Sequence, residues 1–427
     1  MRKRVRRLLQ CGVLLVGVLI AVLLTLPGCP PPVAPGPTPY VPAKMDGLPT
    51  IRVLVGAGEG FSISTTGGYR FLADGREVAR SLEPLSELQL RRMGMTWTLN
   101  TAVFTGQSLT VEAGGNADHL AGRQQGWSFV QINKKDYRGK IVLLGDGTAS
   151  NITAVNHIDL ESYLAGVLSR ELLAGWHDRA YEALAIAART YALYEMGTVG
   201  KGRAYDVRDD QGSQVYGGRL AETDKSWRAV RATHGQVVAF GPQGQERIFR
   251  AQYSSCCGGR VNNACFLYGQ PVSGPLVGGQ ICEDCRLSGR YRWPQVIVPK
   301  AVIARAVKAT YPNCGLTGVA AVRVAEEMYD RPVWLDIIST DGKKVRLRAN
   351  DLRLCLLRDP EKPGKSLYSM NCTIRDAGDS VIFENGQGFG HGVGLCQWGT
   401  EGKAQRGFTV AEILAAYYPG SRLFTAY

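Results

Sequence analysis

Residues 159–194 read DLESYLAGVLSRELLAGWHDRAYEALAIAARTYALY, and this stretch organises the chain. It reads as two short helices broken at Gly175, with Asp159 and Asp178 as N-caps. At ~100° per residue, Leu164, Val167, Leu168 and Leu172 share one face of the first helix, while Gly166, Ser169 and Arg170 share the other. Glu171 falls inside the apolar arc, between Val167 and Leu168. A carboxylate turned toward a core is penalised by desolvation unless it is paired or protonated, so its pKa is expected to rise. That is the state a general acid needs near neutral pH. The competing arrangement is an internal ion pair, with Arg189 on the next helix as the partner. The second helix carries Ala180, Ala183, Ala185, Ala187 and Ala188, small enough to let a neighbouring backbone approach closely.

A second informative segment lies near the C-terminus: GQGFGHGVG at 386–394, then Leu395, Cys396, Gln397 and Trp398. It is too rich in glycine for a helix or regular strand, so its backbone must take positive φ or approach something closely. It lacks the pattern of a phosphate-binding loop, and His391 on its own reads first as a satisfied structural histidine. The loop 205–218, YDVRDDQGSQVYGG, is polar, and 229–240 returns to a helix end and a strand.

Before this core, the runs IRVLVGAG, FSIST, YRFLAD, WTLNTAVF, SLTVEA, WSFVQIN and KIVLLGDG are separated by Gly, Asp and Asn turns, and predict a mostly antiparallel sheet region up to about Asn156. The expected class is therefore α+β: a mostly antiparallel, β-rich scaffold around a pair of central helices that carry Glu171. No site chemistry is visible in the strands, which read as scaffold.

The extreme N-terminus is different. MRKRVRR precedes a long apolar run ending in Leu26-Pro27-Gly28-Cys29, which is the layout of an export signal. The ending resembles a lipobox, with Cys29 as the lipidated residue, although Pro27 departs from the small residue usual there. An uncleaved anchor is the alternative, since the run approaches the ~20 residues that span a bilayer. Both readings export the body and tether it to a membrane. Pro30, Pro31, Pro32, Pro35, Pro37, Pro39 and Pro42 make a semi-extended spacer. The expected organisation is a signal at 1–28, a linker at 29–48 and a folded unit at 49–427, divided into a β-rich part, 49–156, and a core, 157–427.

With 427 residues, 45% of them hydrophobic, the chain can bury a large core. The net charge is +13, and setting aside the five cations of the first seven residues leaves +8, which favours an anionic surface or polymer. No basic cluster interleaved with aromatics and no zinc-finger or helix-turn-helix pattern occurs, so nucleic acid is not the partner this sequence points to.

Nine of the 11 cysteines lie in the body of the chain, beyond Cys11 and Cys29. In an exported chain disulfides are the default. Cys256-Cys257 ahead of Gly258-Gly259, with Cys282 and Cys285 in CEDC, fits a tetrahedral metal site as well. Adjacent cysteines make poor tetrahedral partners unless one points away, so both arrangements stay open. Four protein ligands would make such a site structural, with no open position for substrate.

Taken together, ESYLAGVLSRE with Trp176 and ARTYAL, QVYGG with YSSCCGGRVNNA, and GQGFGHGVGLCQWGTEGKA with EILAAYYPG resemble the stage II sporulation protein D family, which is shared with the amidase-enhancer proteins. The resemblance runs from about residue 50 to the C-terminus. It implies a lytic transglycosylase of the bacterial cell wall, acting on peptidoglycan glycan strands stripped of stem peptides. It makes Glu171, followed five residues later by Trp176, the catalytic acid. Arg189, Gln214, Tyr216, His391 and Gln397 are the expected substrate-binding or positioning groups. The resemblance also favours zinc on Cys256, Cys257, Cys282 and Cys285. Two departures stand out. Leu172-Leu173 replaces the usual Met-Pro, and Leu184 replaces a glutamine of the second helix. A rival expectation is a non-catalytic glycan-binding protein that enhances a cell-wall amidase. Either way the protein is expected in the cell envelope, tethered through Cys29 or an uncleaved anchor, and facing glycan.

Overall fold

The computed structural model describes residues 47–114, 128–145, 150–270, 272, 274–361 and 363–427. The signal, Cys29 and nearly all of the proline spacer lie outside the described residues. Among the described residues, no helix is long and apolar enough to cross a membrane.

The N-terminal part is a β structure of two sheets. One runs in the order Val207–Arg208, Thr50–Gly58, Ile152–Asp159, Lys140–Gly145, Ser108–Ala113, Tyr69–Ala73 and Arg76–Ser81. The other runs Lys135–Tyr137, Val130–Ile132, Gly60–Thr65, Leu88–Met93, Thr96–Leu99 and Ala102–Thr105. Their neighbours pair antiparallel, except that Thr50–Gly58 also pairs parallel with Val207–Arg208. Alternation of buried and open positions, as in Ser108–Ala113, puts one side of each strand into a shared core containing Ile51, Ile63, Trp97 and Val111. The α+β class expected from the sequence is what the chain adopts. Five strands of these sheets, Arg76–Ser81, Leu88–Met93, Lys135–Tyr137, Ile152–Asp159 and Val207–Arg208, were not among the expected runs. Arg76–Ser81 and Leu88–Met93 carry arginines at their open positions, which hides the apolar alternation.

The strand Ile152–Asp159 leads without a loop into helix α1, Leu160–Glu171. Asp159 caps it, its Oδ1 accepting the Ser162 N–H at 2.8 Å. Helix α2 spans Asp178–Gly197, and its N-cap is His177 rather than the expected Asp178, which becomes the first helical residue. The two-faced wheel is also corrected. Every residue of α1 from Leu160 to Leu168 is buried, because helix α3, Asp224–Ala232, and the turn at 219–221 cover its second side. Gly166 belongs to that covered side. A Cβ there would meet the Tyr216 ring at 2.7 Å and the Gly218 carbonyl at 3.0 Å, so the glycine is what lets the 216–218 segment lie on the helix. The alanines of α2 are all buried, as close packing requires.

Residues 293–383 bury a second hydrophobic cluster around Val298, Ile303, Leu335, Ile337, Leu347, Leu352 and Phe383. It is built from two three-stranded sheets and the helices Lys300–Thr310 and Ala349–Arg358. The chain then returns to the first cluster through the glycine-rich loop. A two-residue parallel pair, Tyr253 with Leu395 and Ser254 with Cys396, joins the middle motif to the C-terminal one.

Candidate functional site

A cleft of about 570 Å³ lies between the two clusters. The first contributes Glu171, Tyr253 and Gln397, and the helix Ala349–Arg358 of the second contributes Asn350, Arg353 and Leu354. The Gly-rich loop closes one side with Phe389, Gly390 and His391. Gly388, Gly390, Gly392 and Gly394 all have positive φ, between 69° and 95°. At Gly394 a Cβ would sit 1.9 Å from the Gln252 carbonyl oxygen, so the loop can lie on the Tyr253 strand only without a side chain there.

Glu171 ends α1 at the wall of this cleft, partly open to it. Its Oε1 accepts from the Val215 N–H at 2.9 Å and from the Tyr253 hydroxyl at 3.4 Å, and its Oε2 accepts from Gln397 Nε2 at 3.0 Å. These donors favour the carboxylate, but burial outweighs them and raises the pKa above the ordinary glutamate value. Among the described residues no cation pairs with it. The sequence left open whether Arg189 does, and the structure places Arg189 elsewhere. Its Nε and Nη2 donate to Glu161 at 2.8 and 2.7 Å, and both side chains are fully buried. The Tyr427 hydroxyl also donates to Glu161.

The other expected groups divide. Gln397 touches Glu171 directly. Gln214 is fully buried and acts one step removed: it accepts from the Tyr163 hydroxyl at 3.1 Å and donates to the Tyr253 oxygen at 3.1 Å, fixing the phenol that reaches Glu171. Tyr216 lies away from the cleft, packed on Tyr163 and donating to Asn156 Oδ1 at 3.1 Å. Arg189 and Tyr216 are therefore corrected from substrate-binding to internal positions, since neither lines the cleft. His391 lines it, but its Nδ1 already accepts from the Val393 N–H at 3.0 Å. Burial lowers its pKa to about 4, so the ring is neutral at physiological pH and is a poor proton donor. Leu184 is buried in the core, where a glutamine would need a partner. Tyr253, Phe389 and Arg353 were missed. The tyrosine sits in the YSSCCGG motif and the phenylalanine in GFGHG, so both lay within quoted motifs, whereas nothing local marks Arg353.

Trp176 is a brace rather than a cleft residue. Its ring meets Trp398 edge-on at 4.9 Å, and the next amide, His177 N–H, donates to Glu401 at 2.8 Å. The turn after Glu171 is thereby tied to the helix that starts at Gln397.

The cysteine set differs from expectation by one member. The sulfurs of Cys257, Cys282, Cys285 and Cys396 lie within 4.8 Å of one another, all buried. Cys256 stands outside this group, its backbone paired with Phe389 and its thiol on the Cys285 carbonyl. Of the adjacent pair, Cys257 is the one whose sulfur falls within this mutual spacing, with Cys256 packed beside the group. Cys257 Sγ and Cys285 Sγ are 3.7 Å apart. Four thiolates at about 2.3 Å from one zinc ion are separated by about 3.8 Å, so the donor set and spacing fit that ion. The Cys396 sulfur accepts from the Cys257 and Gly399 N–H groups at 3.2 and 3.4 Å, support of the kind that metal-bound thiolates receive.

The family model described as Stage II sporulation protein matches residues 148–240, which hold α1, α2 and α3. Three relatives extend the likeness. An uncharacterized protein of Brachyspira hyodysenteriae is 28% identical over 289 residues, covering 68% of this chain and 72% of its own. The stage II sporulation protein D of Bacillus subtilis is 28% identical over 289 residues, covering 64% and 76%. The amidase enhancer of Bacillus subtilis is 24% identical over 336 residues, covering 69% of this chain and 45% of that protein, so this chain spans less than half of it. Over residues 148–240 the chain is thus similar to the stage II sporulation protein family, and the longer matches to a stage II sporulation protein D and an amidase enhancer support the same kinship.

Proposed function

We propose that this protein is a peptidoglycan lytic transglycosylase that cleaves the bond between MurNAc and GlcNAc in glycan strands. The observation that carries this reading is that Glu171 is the sole carboxylate among the described residues lining the cleft. A hydrolase working by two carboxylates has no second group there. A transglycosylase needs one. Protonated Glu171 donates to the glycosidic oxygen as that bond breaks, and the N-acetyl group of MurNAc stabilises the charge developing at C1. The resulting carboxylate takes the proton of the same sugar's C6 hydroxyl, whose oxygen bonds to C1 and closes a 1,6-anhydro ring. No water is consumed. Gln397, the Val215 amide and Tyr253 hold the carboxylate through both steps, and exposed Phe389 offers a ring face for a sugar to stack on.

The test is to incubate the protein with peptide-free glycan strands and follow the products by mass spectrometry, with 1,6-anhydro-MurNAc ends expected. The second reading, an amidase enhancer, is favoured by the relative of that name. It predicts glycan binding and faster amidase turnover in a mixed assay, with no anhydro ends.

The buried four-cysteine cluster supports one structural zinc ion held by Cys257, Cys282, Cys285 and Cys396, leaving no open position. Metal analysis should return about one zinc per chain. Cys396→Ser should lower both zinc content and thermal midpoint, whereas Cys256→Ser should leave zinc content unchanged. The N-terminal sequence supports export and tethering at the envelope through Cys29.

A further inference from the structure

Arg353 is 8% exposed and lines the cleft, yet among the described residues it has no carboxylate partner. Its Nε donates to the Leu367 carbonyl at 2.9 Å, and among the described residues the two terminal nitrogens have no acceptor. Arg250, on the same cleft, is neutralised by Glu195 at 2.7 Å, and Arg170 and Arg358 are exposed to water. A buried guanidinium with no anion beside it is costly to fold around. The cost is visible as a pKa lowered to about 10 by desolvation alone. Arg353 lies on the Ala349–Arg358 helix of the second cluster and, with Asn350, lines the same cleft as Glu171.

We propose that Arg353 binds the lactyl carboxylate of a MurNAc residue, which makes it the side chain that reads the peptide-free state the family resemblance implies for the substrate. The inference rests on the reading that the cleft takes a glycan strand. In a strand that keeps its peptides, the lactyl carboxyl is an amide and carries no charge. Where the peptide is removed it is a free carboxylate, which suits the planar donor fork of arginine. Stripping the peptide thus creates the anion that the cleft lacks.

The experiment compares two tetrasaccharides of alternating MurNAc and GlcNAc, one with free lactyl carboxylates and one with them capped as methylamides. Binding is measured by titration calorimetry on the full-length Glu171→Gln protein in detergent, so that turnover does not interfere. The free sugar should bind about 10- to 100-fold more tightly than the capped one, as expected for a charge-assisted contact. Adding Arg353→Met should erase that ratio while leaving affinity for the capped sugar unchanged, and Arg353→Lys should keep part of it. Equal affinity of the two sugars would overturn the proposal, as would a ratio that survives Arg353→Met or an equal loss for both sugars. The free-to-capped ratio is measured without any change at Arg353, so it does not depend on the variant folding. Anhydro ends are read in a separate wild-type incubation, so carboxylate selection without anhydro product would count against the transglycosylase reading alone.

Discussion

Glu171→Gln is expected to reduce formation of anhydro-MurNAc ends by about a thousand- to ten-thousand-fold, the upper range for loss of general acid–base catalysis, because one residue serves as both acid and base. The substitution keeps the side chain's shape but cannot deliver a proton. Its pH dependence separates a catalytic from a structural role. Burial raises the Glu171 pKa, so the wild-type rate should fall on the alkaline side as the acid ionises at a pH above the usual glutamate range. The stability effect has the opposite sign to the activity effect. A carboxyl whose folded pKa exceeds its unfolded value adds stability below the unfolded pKa and loses it as pH rises through the folded one. Glu171→Gln removes that loss, so the inactive variant should be more stable than wild type at neutral and higher pH. A variant that is inactive and also less stable at pH 8 would contradict the assignment.

The largest effect on stability is expected at the Glu161–Arg189 pair. Both side chains are fully buried, and the guanidinium also reaches the Gln236 carbonyl at 3.0 Å. With Tyr427 on the same carboxylate, the pair joins α1, α2, the turn after α3 and the last residue of the chain. Removing one partner leaves an uncompensated buried charge, at about 3–5 kcal/mol. Arg189→Met and Glu161→Gln should each lower the denaturant midpoint by a corresponding amount. The double variant should lose much less than the sum of the two, and additive losses would show that the two groups do not depend on each other.

How far the sequence could go is clearest at these two glutamates. Helical periodicity placed Glu171 in an apolar arc, and that placement holds because the arc is set by local spacing alone. The same reasoning gave α1 a free side that it does not have, since burial around a helix depends on what covers it. Arg189 was a plausible partner for Glu171 by proximity along the chain. Glu161, ten residues earlier, is the one whose side chain meets it. The cysteine quartet needed Cys396, 111 residues beyond Cys285, brought in by a two-residue parallel pair that leaves no periodic signal. Arg353 sits in an ordinary amphipathic helix, and its distinction is a missing partner, which only the folded arrangement reveals.

Cys396 and Gln397 are neighbours in the chain, one in the sulfur cluster and the other on Glu171. Handling of the thiols during purification therefore bears on any activity measurement. Oxidation that joins Cys396 to another member of the cluster is expected to shift the neighbouring Gln397 and weaken its hydrogen bond to Glu171. A preparation oxidised in this way is expected to lose product formation. A negative result in the product assay distinguishes an amidase enhancer from a transglycosylase only when the thiol state and metal content of that sample have been measured alongside it.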